Sequence, residues 1–365
     1  MKNNLFRRLF LMSVFIGMLS NPLFSQLDDL GTFMSFGSNT EKLLKAYIRP
    51  YTNALGTDLS SGWYNTAKPH KLGGFDVTFT LNTTIVPTAD RSFNPNGLGL
   101  EGITSSSNSS PTAMGKNKPG AELTYTENIG GNDVTLAQFE LPKGTGLSFA
   151  PAPMIQGAVG LIKGTEIMGR FTPKLKLGSG SEFGLWGVGL KHSIKQWIPA
   201  LKRIPVLHLS VMGGYTSLNA ETALNFMPSH YGSYIDYVGV QDSYFADQMM
   251  NLEISSFTSN LLISANLPVV CFYGGVGFAS TKTTMALKGN YPVPTYNTTE
   301  NRTEITKASS VTDPVDMEIK HKSGSTTDPR YNVGMRLKFA VITIHFDYTY
   351  ANYSVATAGL GISFR

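Results

Sequence analysis

Near the end of the chain, in ITIHFDYTY, His345 and Asp347 stand two residues apart. An imidazole and a carboxylate on one face are two parts of a Ser-His-Asp triad, in which the histidine moves a proton and the carboxylate orients it. No nucleophile signature accompanies them. The six histidines (His70, His192, His208, His230, His321 and His345) include no pair at the spacing that holds zinc on a helix, and Cys271 is the single cysteine. Gly97, Gly99 and Gly102 stand in the G-x-G-x-x-G spacing. A dinucleotide site needs that run directly between a strand and a helix, whereas here ITSSSNSSP follows, which does not form a helix. The expectation is a protein that is not an enzyme and has no catalytic, cofactor or metal site. His345 and Asp347 then belong to a hydrogen-bonded polar surface.

The segments that carry these residues alternate. Ile342, Ile344, Phe346, Tyr348 and Tyr350 fall on one face, and Thr343, His345, Asp347 and Thr349 on the other. The same period-two pattern recurs in GFDVTFTLN, VLHLSVMGGYTS, SNLLISANL, NVGMRLKF and the terminal ATAGLGISF. Candidate strands number about twelve, including 121–129 and 132–141, and AETALNFM and DPVDMEIKHK extend or add to them. The longest connections, 86–120, 220–248 and 288–329, all follow odd-numbered strands, while IGGN, IKGT and LPV are short. Long loops at one end and tight turns at the other are how transmembrane β-barrels are built. The fold class expected is all-β: an antiparallel transmembrane β-barrel of about 12–14 strands, closed between its last strand and the region of Phe75 to Leu81.

Composition agrees. Only 15% of the 365 residues are charged, against 37 glycines and 11% aromatics, and no helical stretch of 18 or more apolar residues follows the N-terminus. The first residues, MKNNLFRRLFLMSVFIGMLSNPLFSQ, read as a secretory signal, with Lys2, Arg7 and Arg8 before an apolar run and cleavage predicted after Ser25. These 25 residues carry three basic side chains and no acidic one, so the net charge of +5 falls to +2 without them. No clustered basic face for nucleic acid remains.

Three units follow: a signal peptide over 1–25, an N-terminal helical plug or periplasmic segment over 26–70, and the barrel over 71–365. In the second, Ser38 or Asn39 caps a helix, and Leu44, Tyr47 or Ile48, Tyr51 and Leu55 recur at helical spacing around Pro50. The plug is expected to start at, and close, the short-turn end. KHSIKQWIPALKRIP, on a turn, interleaves Trp197 and Leu201 with Lys195, Lys202 and Arg203. It reads as an interfacial turn helix or as a connector under the barrel mouth.

With the apolar face outward, Arg170, His208, Met212, Arg336, Lys338, His345 and Asp347 face the lumen, together with Asp76, Glu166, Met168, Leu262, Cys271 and Tyr273. A lumen mixing charge with methionine and aromatic patches suits an amphipathic ligand better than a wet pore does.

The stretches KHSIKQWIPALKRIPVLHLSVMGGYTSL, LLISANLPVVCFYGGVGFAST and the terminal GLGISFR, with LLKAYIRPYTNALGTDLSSGWYNTAKPHKLGGFDVTF near the N-terminus, resemble an uncharacterised family of bacterial outer-membrane barrel proteins. The resemblance covers most of the mature chain apart from the long loops and implies location and fold rather than activity. More remotely the arrangement is similar to FadL-type transporters of hydrophobic compounds. The Asn-Pro-Ala element after their hatch is missing here, so no binding residue carries over.

The function expected is binding or passage of a small hydrophobic or amphipathic molecule, without covalent chemistry or cofactor. The alternatives are a barrel that anchors a secretion or surface complex, and a lipid-modifying enzyme. The partners expected are outer-membrane lipid, that small molecule, and the outer-membrane insertion machinery, which reads a terminal aromatic such as Phe364. The location expected is the bacterial outer membrane.

Overall fold

The computed structural model describes residues 39–129, 131–177, 180–227, 242–299, 302–320 and 327–364. The signal segment, His230, His321 and Arg365 lie outside them.

Ten strands form one ring: β1 (Phe75–Ile85), β2 (Phe149–Gly160), β3 (Thr165–Leu177), β4 (Ser181–Ser193), β5 (Leu207–Ala223), β6 (Met249–Asn266), β7 (Val270–Lys288), β8 (Thr327–Phe339), β9 (Ile342–Tyr350) and β10 (Ser354–Phe364). Each runs antiparallel to the next. β10 returns to β1 with Phe364 opposite Phe75 and Ala358 opposite Leu81. Closure leaves no strand edge, so every ladder hydrogen bond is made within the protein.

The alternation decides which solvent each face meets. Phe79, Val188, Phe272, Phe346 and Leu360 all point outward and are exposed. Thr80, Asn82, Thr258, Thr349 and Thr357 occupy inward positions and are buried. A soluble β-protein would have the reverse polarity. Apolar outside and polar inside is the arrangement of a barrel whose outer solvent is lipid.

The ring holds ten strands rather than twelve to fourteen. Glu122–Ile129 and Asn132–Glu140 pair with each other and with Ile103–Ser105, forming a separate small sheet between β1 and β2. The sequence ELTYTENIGGNDVTLAQFE alternates, but Glu127 breaks its apolar row Leu123, Tyr125, Ile129, so it offers lipid no continuous face. A second hairpin, Asn290–Thr299 with Arg302–Thr312, stands between β7 and β8. Val315–Ile319 pairs back onto the far half of β7. AETALNFM contributes only an extension of β5 through Ala223. The three long connections still share one end, because the misassigned hairpin removes an even number of strands.

Helix α1 (Thr40–Ser60) lies inside this ring, with sixteen of its 21 residues buried. It contacts β1, β2, β5, β6 and β7. It does not start at the short-turn end. Asn39 exchanges hydrogen bonds with the backbone of Glu101, and the Tyr47 hydroxyl donates to Lys143 O; both partners lie in the long loop after β1. Because those loop groups take the Asn39 side chain, it makes no cap bond to its own helix. From Ser61 the chain continues down the lumen and leaves it at Gly73, whose N–H donates to Gly160 O beside the start of β1. The N-terminal segment therefore threads the barrel from the long-loop end to the short-turn end.

An arginine on the outward face should cost about 2–4 kcal/mol near the bilayer centre. Leu360→Arg is therefore expected to lower the temperature at which the folded barrel converts to its slower-migrating unfolded form on a gel. An unchanged transition would show that this face does not meet lipid.

Candidate functional site

A helix that ends inside a barrel leaves its last carbonyls without helical partners and away from bulk water. Ser60 and Ser61 satisfy Thr57 O with their hydroxyls, Ser61 N donates to Asp58 O, and the wall supplies the remaining donors. Asn82 Nδ2 on β1 donates to Asp58 O (2.8 Å) and Ser61 O (3.1 Å). Thr216 Oγ1 on β5 donates to Leu59 O (3.1 Å). Arg170 on β3 donates from Nη1 to Leu59 O (3.1 Å) and from Nη2 to Ser61 O (2.6 Å). Arg330 on β8 donates from Nη1 to Ser60 O and to Thr258 Oγ1. Two guanidinium groups thus sit at the negative end of the α1 dipole, where cations are favoured.

Directly below, Trp63 fills the lumen. The Arg170 guanidinium lies 3.7 Å from the centre of its ring, a cation–π contact. Gln156 links the two, accepting from Arg170 Nε (2.8 Å) and donating to Trp63 O (3.0 Å). The ring presses so closely on β4 and β5 that a Cβ at Gly189 or Gly214 would come within 2.8 or 2.7 Å of it. Glycine is required at both by this approach.

Residues 61–72, the strap, then run to the short-turn end, held by polar side chains. Ala67 N donates to Ser264 Oγ (3.1 Å), and Ser210 Oγ donates to Ala67 O. Arg336 Nη1 donates to Asn65 Oδ1 (3.1 Å). At the bottom Glu166 gathers three donors. One oxygen lies 2.7 Å from Lys191 Nζ, and the other accepts from His70 N and contacts His70 Nδ1, both at 2.8 Å. His70 Nε2 reaches Ser363 Oγ (3.2 Å) and Asp76 (3.6 Å). All members are buried, a geometry in which removing one partner strands the others.

The residues expected to face the lumen divide between these layers. Arg170 belongs to the helix-end clamp, and Met212 shares a small apolar cluster with Trp63, Met168, Leu262, Cys271 and Tyr273. Arg336, Lys338 and His208 line a cavity of about 470 Å³ at the short-turn mouth. His345 and Asp347 are buried on β9 but are not joined. Asp347 accepts from Tyr273 Oη (2.9 Å) and Asn332 Nδ2 (2.8 Å), while both His345 ring nitrogens lack a partner. The space beside Gly359 is taken by the His345 ring, which is why that inward position of β10 has no side chain. Among the described residues no group of three or more His, Cys, Asp or Glu could hold a metal ion.

Sequence reasoning missed Arg330, Lys191, His70 and Trp63 as site residues. Arg330 was legible, since it lies in phase with Arg336 on β8 and shares its inward face. His70 and Trp63 lie in the strap, which has no period, so nothing in the sequence announces their partners. The turn after β4 forms two short helical pieces, Lys195–Trp197 and Pro199–Lys202. Trp197 is exposed and lies tilted against the His192 ring, 5.1 Å between centroids, the disposition of an interfacial tryptophan.

Arg330→Met should strand the Ser60 carbonyl and loosen the strap by about 2 kcal/mol. Tryptic cleavage after Lys71 is then expected to accelerate by more than tenfold while the barrel keeps its folded mobility. An unchanged cleavage rate would show that the clamp does not hold the strap.

Solved structures similar to this chain are bacterial barrels. The translocator domain of the autotransporter NalP from Neisseria meningitidis aligns over 91% of this chain and 99% of its own, with 9% identity and a TM-score of 0.30. The toluene transporter TodX from Pseudomonas putida aligns over 87% and 97%, with 9% identity and a TM-score of 0.29. Ail, the attachment invasion locus protein of Yersinia pestis, aligns over 80% and 98%, with 7% identity and a TM-score of 0.24. No curated protein matches the sequence. The sequence itself matches one family from end to end: residues 1–364 fit its model, and the chain belongs to the family of unknown function DUF6588.

Proposed function

We propose that the protein is an outer-membrane barrel, held closed by its own N-terminal segment, that binds and passes a small hydrophobic or amphipathic molecule without covalent chemistry. The outward apolar face supports a lipid surround, and a signal-bearing precursor inserted by the outer-membrane assembly machinery accounts for the location.

The observation that carries the reading is the unequal fixation of the segment's two halves. In its first half, Leu43, Leu44, Tyr47 and Ile48 sit in an apolar core with Leu123, Ile254, Met285, Tyr291 and Met317. Displacing them exposes hydrocarbon to water at roughly 25 cal/mol per Å². The strap has a smaller apolar contact, where Trp63, Tyr64 and Ala67 meet Met168, Met212 and Leu262, and the rest of it is held by polar contacts, whose hydrogen bonds water can replace at a net cost of about 1 kcal/mol each. Unpartnered buried polar atoms flank it: Trp63 Nε1, Tyr64 Oη, Thr78 Oγ1, Arg336 Nε, Thr343 Oγ1 and the His345 ring. Groups in that condition gain hydrogen bonds when water or a polar ligand enters. The strap is the moving part in this reading, and α1 is the fixed stop.

A second reading, a non-conducting barrel that presents its long loops to a surface partner, draws support from the clamp of Arg170 and Arg330 on the helix end. A lipid-modifying enzyme draws none from His345 and Asp347, whose side chains do not meet.

Locking the strap separates the readings. In a Cys271→Ala background, Thr66→Cys with Ser264→Cys should form a disulfide, since Thr66 Oγ1 and Ser264 Oγ, the atoms the sulfurs replace, are 3.3 Å apart. Uptake of small apolar and amphipathic solutes into proteoliposomes is expected to fall at least tenfold when the bridge forms and to recover on reduction. Equal uptake in both states would sink the gating reading. No uptake by the unlocked protein would favour the non-conducting one.

A further inference from the structure

The short-turn mouth has a charge pattern that the gating reading does not use. Its cavity of about 470 Å³ is lined by Lys68, Lys71, Arg336 and Lys338, with His208 on β5, and by no aspartate or glutamate. Among the described residues none of those four cations has a carboxylate within ion-pair distance: the buried ion pairs nearby are His70 with Asp76 and Glu166, and Lys191 with Glu166. Glu166 is taken by His70 and Lys191, and Asp76, which lies outside the cavity lining, contacts His70 Nε2 at 3.6 Å and leaves its other oxygen without a hydrogen-bond partner. Arg336 is buried, and its Nε has no hydrogen-bond partner although its Nη1 bonds Asn65. Lys338 has only the neutral Ser363 hydroxyl, 3.3 Å away.

Four permanent positive charges around one small cavity repel one another, and the low-dielectric wall strengthens the repulsion. A singly charged ligand would leave most of that repulsion in place. A multiply charged oxyanion relieves it, and phosphate oxygens match both the fork of an arginine and the point charges of lysines. The volume equals about fifteen waters at roughly 30 Å³ each, which admits one or two phosphate groups. We propose that this vestibule is a binding site for a phosphate-bearing anion, whether a free solute or the headgroup of an anionic phospholipid. Val206 and Leu267, both exposed at its rim, adjoin the lipid-facing surface and leave room for the second source. The inference concerns the closed state and does not depend on the strap moving.

The test uses the full chain in neutral detergent at low ionic strength, titrated calorimetrically with pyrophosphate. Saturable binding is expected, weakened about tenfold or more by Lys68→Gln with Lys338→Gln. It should be left intact by Lys116→Gln with Lys118→Gln, which lie in the long loop at the opposite end. Absence of saturable binding, or equal weakening in both double variants, would overturn the proposal. Repeating the titration in nanodiscs assigns the source. Loss of pyrophosphate binding when phosphatidylglycerol replaces phosphatidylcholine supports a headgroup in the site, and unchanged binding supports a free anion. Solute uptake is a separate readout, so a barrel that never opens leaves this result standing.

Discussion

The backbone carbonyls of residues 58–61 end a helix in the middle of a membrane barrel, and they must be satisfied there. Water is not available in bulk, and the helix has no further turn to accept from. Strands β1, β3, β5 and β8 meet the need together, with Asn82, Arg170, Thr216 and Arg330. These donors come from positions far apart in the chain, so the clamp exists only once the ring has closed. Much of the remaining interior follows from it. The end of α1 fixes the height of Trp63, Trp63 requires the glycines of β4 and β5, and the strap below inherits a path along the wall.

Closure imposes the second constraint. Every strand of the ring is paired on both sides, so stability against lipid rests on the ladder and on an outward apolar face. The lumen is left to polar side chains, and the protein fills it with its own N-terminal segment. Below α1 this filling is imperfect in hydrogen bonding: several polar atoms around Tyr64, Thr343 and His345 have no partner. Well-packed interiors rarely tolerate such a concentration. It coincides with the part of the segment whose apolar cluster, around Trp63 and Tyr64, is the smaller of the two.

The two ends of the molecule differ in chemistry. At the long-loop end an apolar core joins α1 to the protruding halves of β6 and β7 and to the loop sheets. At the short-turn end the mouth is polar and basic, with the His70–Glu166–Lys191 cluster sealing the wall beside it. The net charge of +5 does not reveal this, because the imbalance is a matter of placement rather than of count. The chain passes from one chemistry to the other as it threads the barrel.

Period-two alternation, sorted loop lengths and low charge were enough to read a membrane barrel and which face of each strand meets lipid, because both depend on local spacing. Ile342, Ile344, Phe346 and Leu360 could be assigned outward without knowing any partner. The count of strands was not local: apart from Glu127, 121–140 alternates much as a barrel hairpin does, and the direct pairing of β1 with β2 is what places it outside the ring. The candidate site was half legible. Arg170, Arg336 and Lys338 announced themselves by phase, whereas His70, Trp63 and the direction in which the N-terminal segment threads the lumen did not. An aperiodic strap carries no record of which wall residue it will meet, and a helix reads the same whichever end of a barrel it enters. Those were decided by tertiary structure alone, where buried carbonyls and carboxylates had to find donors across the lumen.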